Sequence, residues 1–301
     1  MPNWNVISWF DKSTVKHLRF PFSYHLMPVF LFALSQATAI NWLHAIVAFF
    51  ILHLLIYPSS NGYNSYQDKD ETSIGGLKEP PKVSINLFFV SMLLDFIGIA
   101  SALFVSIYFG VFVFVYVLVS RAYSYRNLRL KKYALIGFLT VFIFQGAFTY
   151  AMVSCAVSNL FFENIYTTNS VICMSVASLF IGSVYPLTQI YQHQADKKDG
   201  VTTISYKLGY VGTFIFSATM FGIASGLLYY YFNLKQELVA LLLFFVLMLP
   251  VIIRLLTWFI KVLKDNKYAN FENTMQMNLM ASTCMNIYFL LLIVNNNYNW
   301  F

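Results

Sequence analysis

YPSSNGYNSYQDKDE (57–71) and YPLTQIYQHQADKKD (185–199) align without a gap at an offset of 128 residues. Tyr57 matches Tyr185, Pro58 matches Pro186, Tyr63 matches Tyr191, Asp68 matches Asp196 and Lys69 matches Lys197. Ser60 faces Thr188, Asn64 faces Gln192 and Glu71 faces Asp199. Each copy follows a long apolar run. The second lies between VICMSVASLFIGSV (171–184) and GTFIFSATMFGIASGLLYYYF (212–232). A plain connector between apolar helices has no use for so many hydrogen-bonding side chains, so the two copies mark a repeated, polar helix end.

Composition sets the class. Of 301 residues, 59% are hydrophobic and 10% are charged, against roughly 25% charged in soluble domains. So much apolar surface has to face lipid, which excludes a soluble domain and a disordered chain. Cys155, Cys173 and Cys284 match no metal or disulfide spacing and read as small core residues. About 20 apolar residues span a bilayer. Nine such segments lie near 22–39, 41–58, 84–106, 107–123, 133–153, 169–190, 210–232, 238–262 and 274–295. With the N-terminus inside, 18 of the 19 lysines and arginines fall on the inner side and only Lys235 falls outside. The net charge of +7 follows from this bias toward an anionic leaflet and calls for no nucleic-acid partner. Trp4, Trp9, Phe10 and Lys16 make residues 1–21 an expected interfacial segment rather than a signal peptide.

Both repeated motifs end an even-numbered helix, the second and the sixth, and so share one side of the membrane. The expected fold is therefore an all-α integral membrane protein: two parallel four-helix repeats plus a ninth helix, forming a single domain over 1–301. Residues 59–83 and 191–209 are expected to be its cytoplasmic site loops. Asn64 and Asp68 are spaced i, i+4, as are Gln192 and Asp196, so each pair shares a helix face. Glu71 and Asp199 follow three residues later. A few carboxylate and amide oxygens, completed by water and phosphate, suit Mg²⁺. Two facing copies with lysines beside them would hold Mg²⁺ and a diphosphate. Solvated helix ends explain one such motif but not two in register.

The chain resembles the UbiA family of intramembrane prenyltransferases. Those proteins have nine membrane helices and two Asp-rich motifs, after helices 2 and 6. NSYQDKDET (64–72) keeps Asn64 and Asp68 of the family's N-D-x-x-D-x-x-x-D, with Ser65 and Thr72 at two of its acidic positions and Asp70 and Glu71 nearby. QHQAD (192–196) carries Gln192 for the first of two aspartates and keeps Asp196, and GVTTISYKLG (200–209) resembles the family's G-x-x-T-x-x-x-x-L-G. SYRNLRLKK (124–132) is similar to Y-S-x-P-P-x-R-L-K: Tyr123, Ser124, Arg129, Leu130 and Lys131 match, and Arg126 and Asn127 replace the prolines.

The resemblance implies Mg²⁺-dependent transfer of a prenyl group from a prenyl diphosphate to a hydrophobic, often aromatic acceptor within the lipid. Its location is expected to be a bacterial inner membrane. Asn64, Asp68, Gln192 and Asp196 would form the catalytic set, and Asn64, Asp68, Glu71, Asp196 and Asp199 the metal set. Lys69, Arg129, Lys131, Lys197 and His193 would meet the substrates. His193 is equally a hydrogen-bonded helix-end residue. Asp95, inside an apolar segment, is either a functional carboxylate or an interhelical contact. Gln145 is expected to join helices. Gly75, Gly76 and LKEPPK (77–82) read as a loop able to close over the site. The other classes of function are a transporter or flippase of an anionic lipid and a degenerate member that binds a prenyl lipid without catalysis.

Overall fold

The computed structural model describes residues 9–158 and 166–298, and in them the apolar segments become helices. They are α1 (Lys12–Leu18), α2 (Met27–Ser35), α3 (Trp42–Asp68), α4 (Asn86–Val105), α5 (Ile107–Ser124), α6 (Ala134–Ser158), α7 (Thr168–Lys198), α8 (Ile204–Leu234), α9 (Leu238–Lys264) and α10 (Phe271–Tyr298). Side-chain oxygens start several of them. Asn41, Ser106, Thr167 and Thr203 each accept a hydrogen bond from a backbone N–H of the first turn, satisfying a donor the helix leaves open. Ser106 alone separates α4 from α5, so these two pack as a tight antiparallel pair.

Eight of the described helices are long and apolar enough to cross a membrane. The first expected span, 22–39, is the exception. Pro21 and Pro28 shape it into a 3₁₀ stretch, Phe20–Leu26, followed by the nine-residue α2. At 2.0 and 1.5 Å per residue these reach about 27 Å together. Val29 to Ser35 are all buried, so this segment is a central stave of the bundle although it is too short as a single helix. Outward faces remain apolar, with Phe104 92% exposed and Leu242 63% exposed, as lipid requires.

The offset of 128 holds in three dimensions. It carries α3 onto α7 to within two residues at each end. Each of these helices contains its motif proline. Before Pro58, which has no N–H to give, the chain widens into a π stretch over Ile51–Ile56. The expected site loops are shorter than the sequence indicated. Residues 59–68 continue α3 and 193–198 continue α7, because the motif side chains are anchored along a helix rather than solvated. The segment expected to be interfacial forms a short helix where it is described. α1 docks on the motif ends of α3 and α4 and buries Thr14, His17 and Leu18. Trp4 lies outside the described residues.

Candidate active site

One cavity of about 400 Å³ opens between the two motifs. Its mouth is lined by Asn64, Asp68, Asp70, Arg129, Lys131, Gln192, Asp196 and Asp199. Its depth is mainly apolar and aromatic: Phe32, Phe144, Phe180, Phe221, Met248 and Phe289 reach it from six helices.

α3 presents Asn64 and Asp68 one turn apart on the cavity side. Asn64 Oδ1 accepts hydrogen bonds from Ser124 Oγ at 2.8 Å and Lys131 Nζ at 2.9 Å. Lys131 also pairs with Asp68 Oδ2. Arg129 joins the two halves of the protein. Its Nη2 donates to Asp68 Oδ1 at 3.1 Å and pairs with Asp199 Oδ2. This reach needs a sharp local turn: Arg129 has φ 44°, in the left-handed region, just after the end of α5. Arg126, where the family has proline, binds the open end of α3, its Nε donating to the Gln67 carbonyl at 2.6 Å and its Nη2 to that of Asp68 at 3.1 Å.

Electrostatics divides the carboxylates outside the spans. Burial pushes the Asp70 carboxyl up to about 6, and the nearby charge of Asp68 adds to that. Burial also opposes ionisation of Asp199, but the hydrogen bond and charge of Arg129 outweigh it and hold Asp199 below the usual carboxylate range. Asp196 Oδ2 is buried and has no partner.

Four residues expected at the site do not line the cavity. Lys69 and Lys197 are exposed at the helix ends, and Lys69 closes α3 with φ 53°. Glu71 is exposed on the outer side of the loop. His193 turns inward, its Nε2 2.8 Å from Ser205 Oγ and its ring stacked on Tyr210 at 4.8 Å. Gln145 lines the cavity, against the expectation that it only joins helices. Gln192 does so too, its Nε2 donating to the Ser73 carbonyl at 3.2 Å.

The sequence reading missed Arg19. It is 8% exposed and lines the cavity, with Nη1 on the Gly75 carbonyl at 2.9 Å and Nη2 on that of Asn61 at 3.2 Å. No motif flags it; a basic residue beside an apolar run reads as an ordinary flank. Tyr123 and Tyr185 stand out in the sequence as motif matches, and the structure brings them together with Gln189 on the cavity wall. Tyr123 and Tyr185 hydroxyls meet at 2.5 Å, and Gln189 Nε2 donates to Tyr185 at 2.8 Å, below the charged mouth. The 69–85 loop is closed over the mouth, with Asp70, Ile74 and Gly75 in the cavity wall. Ser13, His17 and Arg19 bind its carbonyls at Lys82, Pro81 and Gly75.

A helical membrane bundle whose cavity has a charged mouth and a mainly apolar interior defines the class: an integral membrane protein with its polar groups gathered at one end of an intramembrane cavity. The chain belongs to the UbiA prenyltransferase family, whose sequence model matches residues 25–280. No curated protein matches it. Among solved structures it is similar to a UbiA homologue from Archaeoglobus fulgidus bound to GPP and Mg²⁺, at 15% identity and a TM-score of 0.66, covering 94% of this chain and all of that one. The same homologue bound to DMAPP and Mg²⁺ matches at 14% identity and 0.66, covering 94% of this chain and 99% of that one. A structure of digeranylgeranylglyceryl phosphate synthase matches at 19% identity and 0.59, covering 95% and 98%. Identities this low establish the shared fold.

Proposed function

We propose that this protein transfers a prenyl group from a prenyl diphosphate to a hydrophobic acceptor inside the membrane, with Mg²⁺. One observation carries the reading: the two acidic motifs, with Arg129 and Lys131 between them, close one end of a cavity whose remainder is mainly apolar. A diphosphate fits the first part and an isoprenoid tail the second.

Among the described residues, no three His, Cys, Asp or Glu side chains come together to hold an ion by themselves. That suits Mg²⁺, which keeps waters and binds through one or two carboxylates plus substrate phosphates. The unpartnered Asp196 Oδ2 would be the first donor, and Asp68, Asp70, Asn64 and Gln192 would offer further oxygens at the same mouth. When bound, Mg²⁺ acts as a Lewis acid toward diphosphate oxygens.

The chain's own groups do the rest. Arg129 offers a planar fork and Lys131 a point charge, both of which can pass from Asp68 to the leaving diphosphate. Arg19 adds a buried cation whose donors meet only backbone carbonyls. The allylic C–O bond breaks with its electron pair leaving on the diphosphate. The aromatic faces of Tyr116, Phe144 and Phe180 shelter the carbocation, and the apolar wall excludes the water that would quench it. An acceptor carbon then forms the new bond and releases a proton.

A second reading, a member that binds a prenyl lipid without reaction, has one observation in its favour: Asp68 and Asp199 are already matched by Arg129 and Lys131. Thermal shift of the purified protein with farnesyl or geranylgeranyl diphosphate tests binding, and product analysis with candidate acceptors tests turnover. At about a hundred times its dissociation constant a ligand adds about 2.7 kcal/mol. Stabilisation that requires Mg²⁺ and disappears in Asp68→Asn and in Asp196→Asn is expected. Equal stabilisation without Mg²⁺ favours the binding-only member, and none at all refutes both.

A further inference from the structure

The geometry points to Asp95 and Arg121 as positioning residues: a buried ion pair that fixes the register of α3 against α5 and so places Asn64 and Asp68. The link to ligand affinity rests on the proposed function; the link to register does not.

The pair lies outside the site. Neither residue lines the cavity, and their side chains are 8% and 15% exposed. Asp95 stands midway along α4, and Arg121 in the last turn of α5. Arg121 Nε donates to Asp95 Oδ2 at 2.9 Å, and Nη2 pairs with the same oxygen. Nη2 also donates to Ser59 Oγ of α3 at 2.6 Å. That hydroxyl is directed at Asp95 Oδ1, 2.6 Å away, and the Ser91 carbonyl, 2.7 Å away. The guanidinium sits over the Tyr63 ring, 4.2 Å from its centre. Three helices therefore meet on one cation.

Adhesion alone does not account for this. An ion pair is costly in a membrane interior, and well-packed apolar residues of similar volume usually hold a protein together as well or better. What the pair adds is direction. Ser59 and Tyr63 are one turn apart on α3, and Asn64 is the next residue. Arg121 and Ser124 are three apart on one face of α5, and Ser124 Oγ donates to Asn64 at 2.8 Å. α5 thus grips α3 at two points, Arg121 at Ser59 and Tyr63 and Ser124 at Asn64. A slip of one residue would turn α3 by about 100° and break both. Asn64 and Asp68 would then lose Lys131 and Arg129, which the chain delivers directly after α5.

The test uses the full-length protein and the double variant Asp95→Leu/Arg121→Met, whose packing replaces the pair. Two readouts are taken. The first is the Mg²⁺ concentration giving half of the stabilisation by farnesyl diphosphate. It is expected to rise by about tenfold or more, as for residues that orient metal ligands, with little change in melting temperature without ligand. The second needs no ligand: N64C with S124C, in a chain with Cys155, Cys173 and Cys284 replaced by alanine, is oxidised with copper phenanthroline. Crosslinking is expected with the pair present and several-fold less in the double variant. If the double variant does not fold, Asp95→Asn is read in the same two ways. Native crosslink yield together with a native Mg²⁺ midpoint overturns the proposal. Wild type without Mg²⁺-dependent stabilisation refutes the proposed function, while the crosslink still decides the register.

Discussion

Lys131 touches both Asn64 and Asp68, whereas the two motif lysines, Lys69 and Lys197, point into solvent. Charge near a motif is therefore a poor guide to charge in a site. Lys131→Met should weaken Mg²⁺-dependent farnesyl diphosphate binding about 10- to 100-fold, because it removes a cation and leaves the Asp68 oxygen without its partner. Lys69→Ala, Lys197→Ala and Glu71→Ala should each stay within about twofold of wild type, as surface changes away from a site do. Titration calorimetry on the four proteins checks this, and a tenfold loss in any of the last three would return that residue to the site. Asn64 and Asp68 were legible from their i, i+4 spacing. Arg19 was not, because its role depends on a 3₁₀ turn and a loop folding back from residue 75.

Helices here approach closely where the sequence has glycine, and the tightest case joins α6 to α7 within the second repeat. A Cβ on Gly146 of α6 would lie 2.3 Å from Ser178 Cα of α7. The contact is with backbone, which cannot swing aside, so α6 and α7 would have to part. Ser178 Oγ also accepts the Ala147 N–H at 2.9 Å, which relieves a donor within the π stretch Phe142–Ala147. Gly146→Ala should cost about 1–3 kcal/mol or more, in the range of overpacked cores. Gly222→Ala on α8, with open space around it, should not destabilise. Denaturation of both variants in the same detergent decides it; equal stability would mean the helices give way freely. Helix positions were readable from apolar run length. The π stretches and the Gly209 kink (φ 66°) were not, since they answer to neighbouring helices rather than to local propensity.

The whole bundle is a sleeve with a polar collar. From Asp196 to Ser183, both on the cavity wall, α7 runs about 20 Å at 1.5 Å per residue. Ala281 of α10 faces the same space from the other side. Ala281→Phe should leave dimethylallyl diphosphate binding within about twofold and weaken geranylgeranyl diphosphate about tenfold, because only the longer tail meets the added ring. Competition binding with the two lipids is the check; equal losses would place the tail elsewhere.

The amino-acid sequence by itself determined that this chain lives in a membrane, where its helices run, that it carries an offset repeat, and which family it belongs to. Those properties are written in apolar run length, charge asymmetry and motif spacing, all of which are local or periodic. Only the tertiary structure decided which polar side chains meet. It turned His193, Lys69, Lys197 and Glu71 away from the cavity, brought in Arg19 and Gln145, and paired Asp95 with Arg121 across two helices. The reason is physical: a helix end presents side chains all round, and which of them is buried depends on the rotation and kinks that packing against distant segments imposes.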